Sequence, residues 1–240
     1  ARIFDFCAAI VDATHDLVVA IDRERAFPAM PHLTCIGHTR AELAGLLDDY
    51  ADAGIDNILA LAGDPPADGS PATGDFTYAS ELVDLVRERG DFSIAVAAFP
   101  EGHPRSASLD ADRRSLAAKL TAADFGITQF FFDSSAYLRM RDDLARLGCE
   151  TPVLPGIMPM LNPVVIRRFA DMNGASFPEE LAAAVTAAGP VDGAAVATEA
   201  AVTLCEELLA EGVPGVHLYC LNRSAVALGI LDSLELTPSS

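Results

Sequence analysis

Six short runs of β-branched or aromatic apolar residues recur along the chain, at 32–35, 57–62, 93–99, 127–132, 152–158 and 215–221. Within each run the apolar positions are consecutive rather than alternate, as in strands covered on both faces. Segments of helical period separate them, and strands joined through helices pair in parallel because the connection must cross over. The first helix is well marked. Thr39-Arg40-Ala41-Glu42 has the spacing of a capping box, Leu43, Leu46, Leu47 and Tyr50 recur along one face, and Gly54 stands where a left-handed residue ends the element. Further helices are predicted at 78–88, 111–123, 135–147, 163–172, 178–187, 198–210 and 224–234, with a turn at 189–193 between the last long ones.

Two architectures accommodate such a succession, a doubly wound open sheet and a (β/α)8 TIM-type barrel. No Gly-x-Gly-x-x-Gly follows an early strand, which favours the barrel. A further strand at 2–6 brings the count to seven. A closed barrel has eight, so the region before Pro31 is short by one βα unit, a unit being about 30 residues. The whole of 1–240 is expected to form a single barrel domain.

Composition narrows the range of partners. With 16 Lys and Arg against 35 Asp and Glu, the net charge of −19 repels phosphate backbones and anionic lipid, so neither nucleic acid nor a membrane is an expected partner. The apolar runs fall short of the roughly 20 residues that span a bilayer. Cys7, Cys35, Cys149, Cys205 and Cys220 form an odd set without Cys-x-x-Cys spacing, which fits a reducing cytoplasm better than a disulfide framework. The five histidines include no His-x-x-x-His pair, and metal chemistry is not indicated.

In parallel barrels, ligands bind where strands end. The second run ends in Ala62-Gly63-Asp64-Pro65-Pro66, where Asp64 faces the mouth or braces the Pro-Pro turn. Phe99-Pro100-Glu101-Gly102-His103-Pro104 confines His103 between two X-Pro restraints, as a ligand contact or an ordinary surface loop. Gln129 is a single amide in an apolar run, able to pair with a heterocycle edge or with backbone. Arg223, after the last run, suits a substrate carboxylate or a surface salt bridge. Asp112, Arg113, Arg114 and Lys119 taken alone read as a solvated helix face.

Together these segments resemble the methylenetetrahydrofolate reductases, flavin-dependent barrel enzymes of one-carbon metabolism. The resemblance runs from His32 to Leu234 through His32-Leu33-Thr34-Cys35, Gly63-Asp64-Pro65-Pro66, Phe99-Pro100-Glu101 with His103-Pro104, 127–133, Leu154-Pro155-Gly156-Ile157-Met158-Pro159 and 217–223. It implies the TIM-type barrel, with FAD as cofactor and NADH or NADPH as reductant, and reduction of 5,10-methylenetetrahydrofolate to 5-methyltetrahydrofolate. Asp64 resembles the aspartate that stabilises the cationic substrate, Gln129 the amide that recognises the pterin, and Arg223 an arginine of the folate site. His32, Ala62, Gly63, Asp64, Tyr78, Ala79, Phe99, His103, Asp112 and Lys119 fall at flavin-contacting positions, and a homo-oligomer is compatible with the family.

This chain departs from the family pattern at several of these places. Ala62 stands where an arginine is common and Phe99 where a tyrosine is common; Ser115 and Ala118 replace polar flavin-helix residues, and Pro163 replaces an aromatic. The family's Phe-Glu-Phe strand, whose glutamate is the general acid, has no recognisable counterpart here; Phe4-Asp5-Phe6 carries a shorter side chain. Two other readings therefore stand beside reduction: a catalytically impaired folate- or flavin-binding barrel, and a pterin-dependent methyltransferase-like barrel.

Overall fold

A computed structural model describes residues 15–22, 28–63, 73–221 and 223–234. The predicted strand at 2–6, with Asp5, and the candidate residue Asp64 lie outside them. The chain divides into two compact units, Ala1–Ala97 with Lys119–Phe125, and Ala98–Ala118 with Gly126–Ser240.

The first unit contains a helical stretch α1 (15–22), then β1 (His32–Thr34), α2 (Arg40–Ala53), β2 (Asn57–Leu61), α3 (Ala79–Arg89) and β3 (Ser93–Ala98), whose last residue falls in the second unit. β1 pairs in parallel with β2, His32 opposite Leu59, and β2 with β3, Leu59 opposite Ala95. The Thr39 amide donates to Glu42 Oε2 at 2.7 Å, the Glu42 amide donates to Thr39 Oγ1 at 3.3 Å, and Gly54 closes α2 at φ 84°. Leu43, Leu47, Leu82, Val86, Ile58, Ala60, Ile94 and Val96 are buried and form the apolar interior of this unit. The other sheet face is more open at its C-terminal edge, where Thr34, Leu61 and Ala97 are half-buried.

The second unit carries most of α4 (Leu109–Ala122) and β4 (Phe125–Phe130), then α5 (Ser134–Arg146), β5 (Val153–Ile157), α6 (Pro163–Asn173), α7 (Glu179–Ala210), β6 (His217–Leu218) and α8 (Ser224–Ser233). β4, β5 and β6 are parallel in that order. Phe130, Met158, Met160, Ile166, Ala170, Val185 and Ala197 form a buried cluster, with Phe132, Phe177 and Tyr219 packed against it.

The largest differences from the sequence reading are in β4, β6 and α7. β4 starts and ends two residues early, because Phe131 and Phe132 are apolar for packing, Phe131 stacking on Tyr137, rather than for strand pairing. β6 is two residues long instead of seven; Gly215 lies at φ 158° and Leu221 at φ 45°, so the backbone leaves the strand on both sides. The predicted turn at 189–193 contracts to Gly189 at φ 79°, after which Pro190 restarts the helix within α7. That merged helix is long and apolar enough to cross a bilayer by length and composition alone; it is kinked at Gly189 and packs on β5, α5, α6 and α8.

Candidate functional site

In the first unit the predicted contact residues other than His32 gather where β1, β2 and β3 end. After β1 the chain stays bonded to the end of β2: the Cys35 amide donates to Leu61 O at 3.1 Å, and the Ile36 amide to Ala62 O at 2.8 Å. Gly63 follows at φ 85°, and a Cβ there would lie 3.1 Å from Thr34 Cβ, so a side chain is disfavoured by both conformation and space. Cys35 is fully buried with its thiol directed at the carbonyls of Ala62 and Tyr78, and burial raises its pKa. Tyr78 is exposed at the N-terminus of α3 beside Ala79. Its amide and that of Thr77 both donate to Glu81 Oε2 at 2.7 Å, which holds the Glu81 carboxyl below the usual glutamate range. His32, exposed, begins β1, and desolvation lowers its pKa from the ordinary histidine value. Lys119, the chain's one lysine, is half-buried and donates to Ala97 O at the end of β3, 2.6 Å away.

In the second unit, the loop after β3 is fastened by α4. Asp112 Oδ1 accepts from the His103 amide at 3.1 Å and from Ser106 Oγ at 3.0 Å. Its other oxygen accepts from Arg113 Nη1 at 3.0 Å. Arg113 also donates to Phe99 O at 3.0 Å, to Pro100 O at 2.5 Å and to Asp143 Oδ2 at 3.3 Å. The expectation of a solvated helix face is therefore corrected: Asp112 and Arg113 are only 7% and 3% exposed, because the loop's carbonyls and amides need buried partners. Phe99 meets the His103 ring edge-on at 4.5 Å, and His103 Nδ1 accepts from the Arg105 amide at 3.1 Å, which places the proton of a neutral ring on Nε2. On its far side the loop is tied by Glu101, whose carboxylate accepts from the Ser176 amide at 2.8 Å and from the Ser176 hydroxyl.

Gln129 is half-buried near the end of β4, at an irregularity. Ile127 pairs with Leu154 and Phe130 with Gly156, so Thr128 and Gln129 together stand opposite Pro155 alone. That is a β-bulge, and such bulges re-aim side chains beside functional sites. Arg223 is exposed at the start of α8, and among the described residues it has no ion-pair partner. The sequence reading missed Arg113, Thr128, Gly156 and Tyr219 as parts of this architecture. A proline inside an internal strand was the available signal, since it removes a ladder donor.

These groups fit FAD in kind: an ammonium and a side-chain-free backbone at Gly63 for a pyrophosphate, and an exposed tyrosine ring for a flat ring system.

The methylenetetrahydrofolate reductase family model matches residues 5–235. The chain belongs to that family. It is 40% identical over 233 residues to the 5,10-methylenetetrahydrofolate reductase of Escherichia coli (strain K12), covering 95% of this chain and 77% of that relative. Identity to the enzyme of the same name from Salmonella typhimurium is 38% over 234 residues, again with 95% and 77% coverage. Methylenetetrahydrofolate reductase (NADH) 1 of Arabidopsis thaliana is 33% identical over 246 residues, 95% of this chain and 42% of that protein. Among solved structures, an uncharacterized protein from Clostridium thermocellum that binds two copies of 5-methyl-5,6,7,8-tetrahydrofolic acid superposes with a TM-score of 0.58 at 14% identity, covering 91% of this chain and 78% of that one. As a member of the methylenetetrahydrofolate reductase family the chain is an enzyme of methylenetetrahydrofolate reduction, and its parallel α/β class is the TIM type the sequence predicts.

Proposed function

We propose that the chain reduces 5,10-methylenetetrahydrofolate to 5-methyltetrahydrofolate with FAD as its redox group and NADH or NADPH as the hydride source. The observation that carries this reading is the bulge in β4, which sets one amide, Gln129, apart in an apolar strand of a family member. The folate ligand of the Clostridium thermocellum protein supports the substrate class. When bound, FAD would supply the hydride-transfer chemistry between the nicotinamide and the methylene carbon.

The chain's residues supply binding and charge. The Gln129 amide pairs with the pterin edge, donating through its NH₂ and accepting through its carbonyl oxygen. Arg223 binds the substrate carboxylate in a fork geometry that lysine does not offer. By sequence position the Asp64 carboxylate stabilises the cationic iminium form of the substrate, a charge that develops only in the folate half-reaction. Lys119 holds the pyrophosphate of FAD, and His103, fixed by the Asp112 and Arg113 network, is a further flavin contact. His32, Ala62, Tyr78, Ala79 and Phe99 complete the proposed set.

The test is spectroscopic. Purified protein loaded with FAD is bleached by NADH or NADPH without oxygen and then mixed with methylenetetrahydrofolate. Bleaching followed by recovery of the flavin absorbance and formation of 5-methyltetrahydrofolate is expected. Bleaching without recovery would leave a flavin-binding protein that is not a folate reductase.

A further inference from the structure

The bulge that displays Gln129 is held by groups outside any proposed substrate contact. Pro155 lies in β5, between β4 and β6, and has no amide hydrogen to give its neighbour. Thr128 and Gln129 face it together, and their surroundings compensate in two places. Thr128 Oγ1 accepts from the Gly156 amide at 2.8 Å, a side chain taking the place of a backbone acceptor. Thr128 O accepts from the Tyr219 hydroxyl, also at 2.8 Å. Tyr219 reaches it from the end of β6, where its own amide donates to Ile157 O at 2.8 Å, so the ring must pass over β5 to meet β4. It can do so only because residue 156 is glycine: a Cβ there would lie 2.6 Å from Tyr219 Cε2 and 2.3 Å from Thr128 O. Burial pushes the Tyr219 phenol up to about 12, so its proton stays in place throughout the working range.

We infer that Tyr219, acting through Thr128 across the bare backbone of Gly156, is a positioning residue that sets the orientation in which Gln129 meets the pterin. The inference rests on the folate reading above. The peptide joining Thr128 to Gln129 is the one whose carbonyl the phenol grips, so loosening that bond rotates the amide-bearing residue rather than the sheet at large. Tyr219 contributes no contact to the substrate in this scheme, and its effect must vanish when Gln129 is absent.

Tyr219→Phe removes only the hydroxyl and keeps the ring that packs on the core. The KM for methylenetetrahydrofolate is expected to rise about five- to tenfold, the size of one lost hydrogen bond. The kcat and the rate of flavin reduction by NADH should stay within about twofold of the wild type. In a Gln129→Ala background, Tyr219→Phe should change the folate KM by less than about twofold. Thr128→Val, which loses the acceptor for Gly156, should raise the folate KM in the same selective way, and Thr128→Ser should rescue it; this pair carries the test if Tyr219→Phe fails to fold. An unchanged folate KM in Tyr219→Phe, equal slowing of both half-reactions, or full additivity with Gln129→Ala would overturn the inference. A wild-type protein whose reduced flavin is not reoxidised by folate would overturn the folate reading and this inference with it, whereas the other outcomes leave that reading intact.

Discussion

Replacing Arg113 by methionine isolates the energetic centre of the second unit. The guanidinium side chain is 4% exposed and serves Phe99 O, Pro100 O, Asp112 Oδ2 and Asp143 Oδ2 within 3.3 Å. Methionine keeps the aliphatic stem, so little packing is lost, but Asp112 becomes a carboxylate in a buried position with neutral donors only. Breaking a buried pair from one side costs about 3–5 kcal/mol. For a chain of this size that corresponds to a fall in Tm of roughly 6–20 °C. Asp143, with 23% of its side chain exposed and Arg146 Nη2 at 2.6 Å, can turn to its other partner and should contribute little to the loss. The discriminating step is a second substitution: Asp112→Asn in the Arg113→Met background removes the stranded charge and should recover at least about 1 kcal/mol. Urea titration of the three proteins reads both numbers. A loss below about 1 kcal/mol for Arg113→Met, or no recovery in the double variant, would show that the pair does not hold the His103 loop as argued.

Three further outcomes are expected. Asp64→Asn should slow folate-dependent reoxidation of the flavin at least about tenfold more than flavin reduction by NADH, because cationic charge develops only in the former; stopped-flow absorbance measures both rates, and equal slowing would remove the electrostatic role. Alkylation by iodoacetamide at pH 8 should modify exposed Cys220 while sparing Cys35 and Cys205, both buried and with pKa values pushed up, Cys205 to about 11; Cys35 reacting as fast as Cys220 in the native protein would contradict the packing at the end of β1. Glu81, whose folded pKa is lowered by the Thr77 and Tyr78 amides, adds stability above the ordinary glutamate pKa of about 4.3 and loses it as pH falls through the folded value. The stability gap between wild type and Glu81→Gln should accordingly shrink from pH 7 to pH 3, and a gap that widened would reverse the assignment.

What could be read from sequence was governed by periodicity. Consecutive apolar positions identified the strands, and Thr39, Glu42 and Gly54 marked both ends of α2 because caps use few residue types. Side-chain identity near strand ends was legible too: Gly63 and Gln129 stand at or beside the ends of β2 and β4, His103 lies in the loop after β3, and Lys119 reaches from α4 to Ala97 O in β3. The pattern could not separate packing from pairing, which is why Phe131 and Phe132 extended β4 on paper. Nor could it show that the Asp112-Arg113 dipeptide is internal, since two adjacent opposite charges look like solvated surface until the carbonyls of Phe99 and Pro100 supply a reason to bury them. The bulge at Thr128 and Gln129 depends on Pro155, Gly156 and Tyr219 from two other strands, and only tertiary structure brings those together.

The single lysine yields a sharper test than its charge alone. Arginine supplies 15 of the 16 cationic side chains, and several bind carboxylates along the helices, as Arg87 does Asp124 at 2.8 Å and Arg167 does Glu179 at 2.5 Å. Planar forks suit planar carboxylates, whereas an ammonium presents three donors around a point and adapts to a tetrahedral phosphate while keeping a second bond. Lys119 has that second bond already, to Ala97 O, in a half-buried place. Lys119→Ala should therefore weaken FAD binding roughly 10–100-fold, the value of a charge-assisted contact. Lys119→Arg, although it conserves charge, should also lose flavin on desalting. The ratio of flavin absorbance to protein after gel filtration, with fluorescence titration of FAD into the stripped protein, measures both. Full retention in Lys119→Arg would mean that charge suffices and the fit to Ala97 is irrelevant, and full retention in Lys119→Ala would place the pyrophosphate elsewhere.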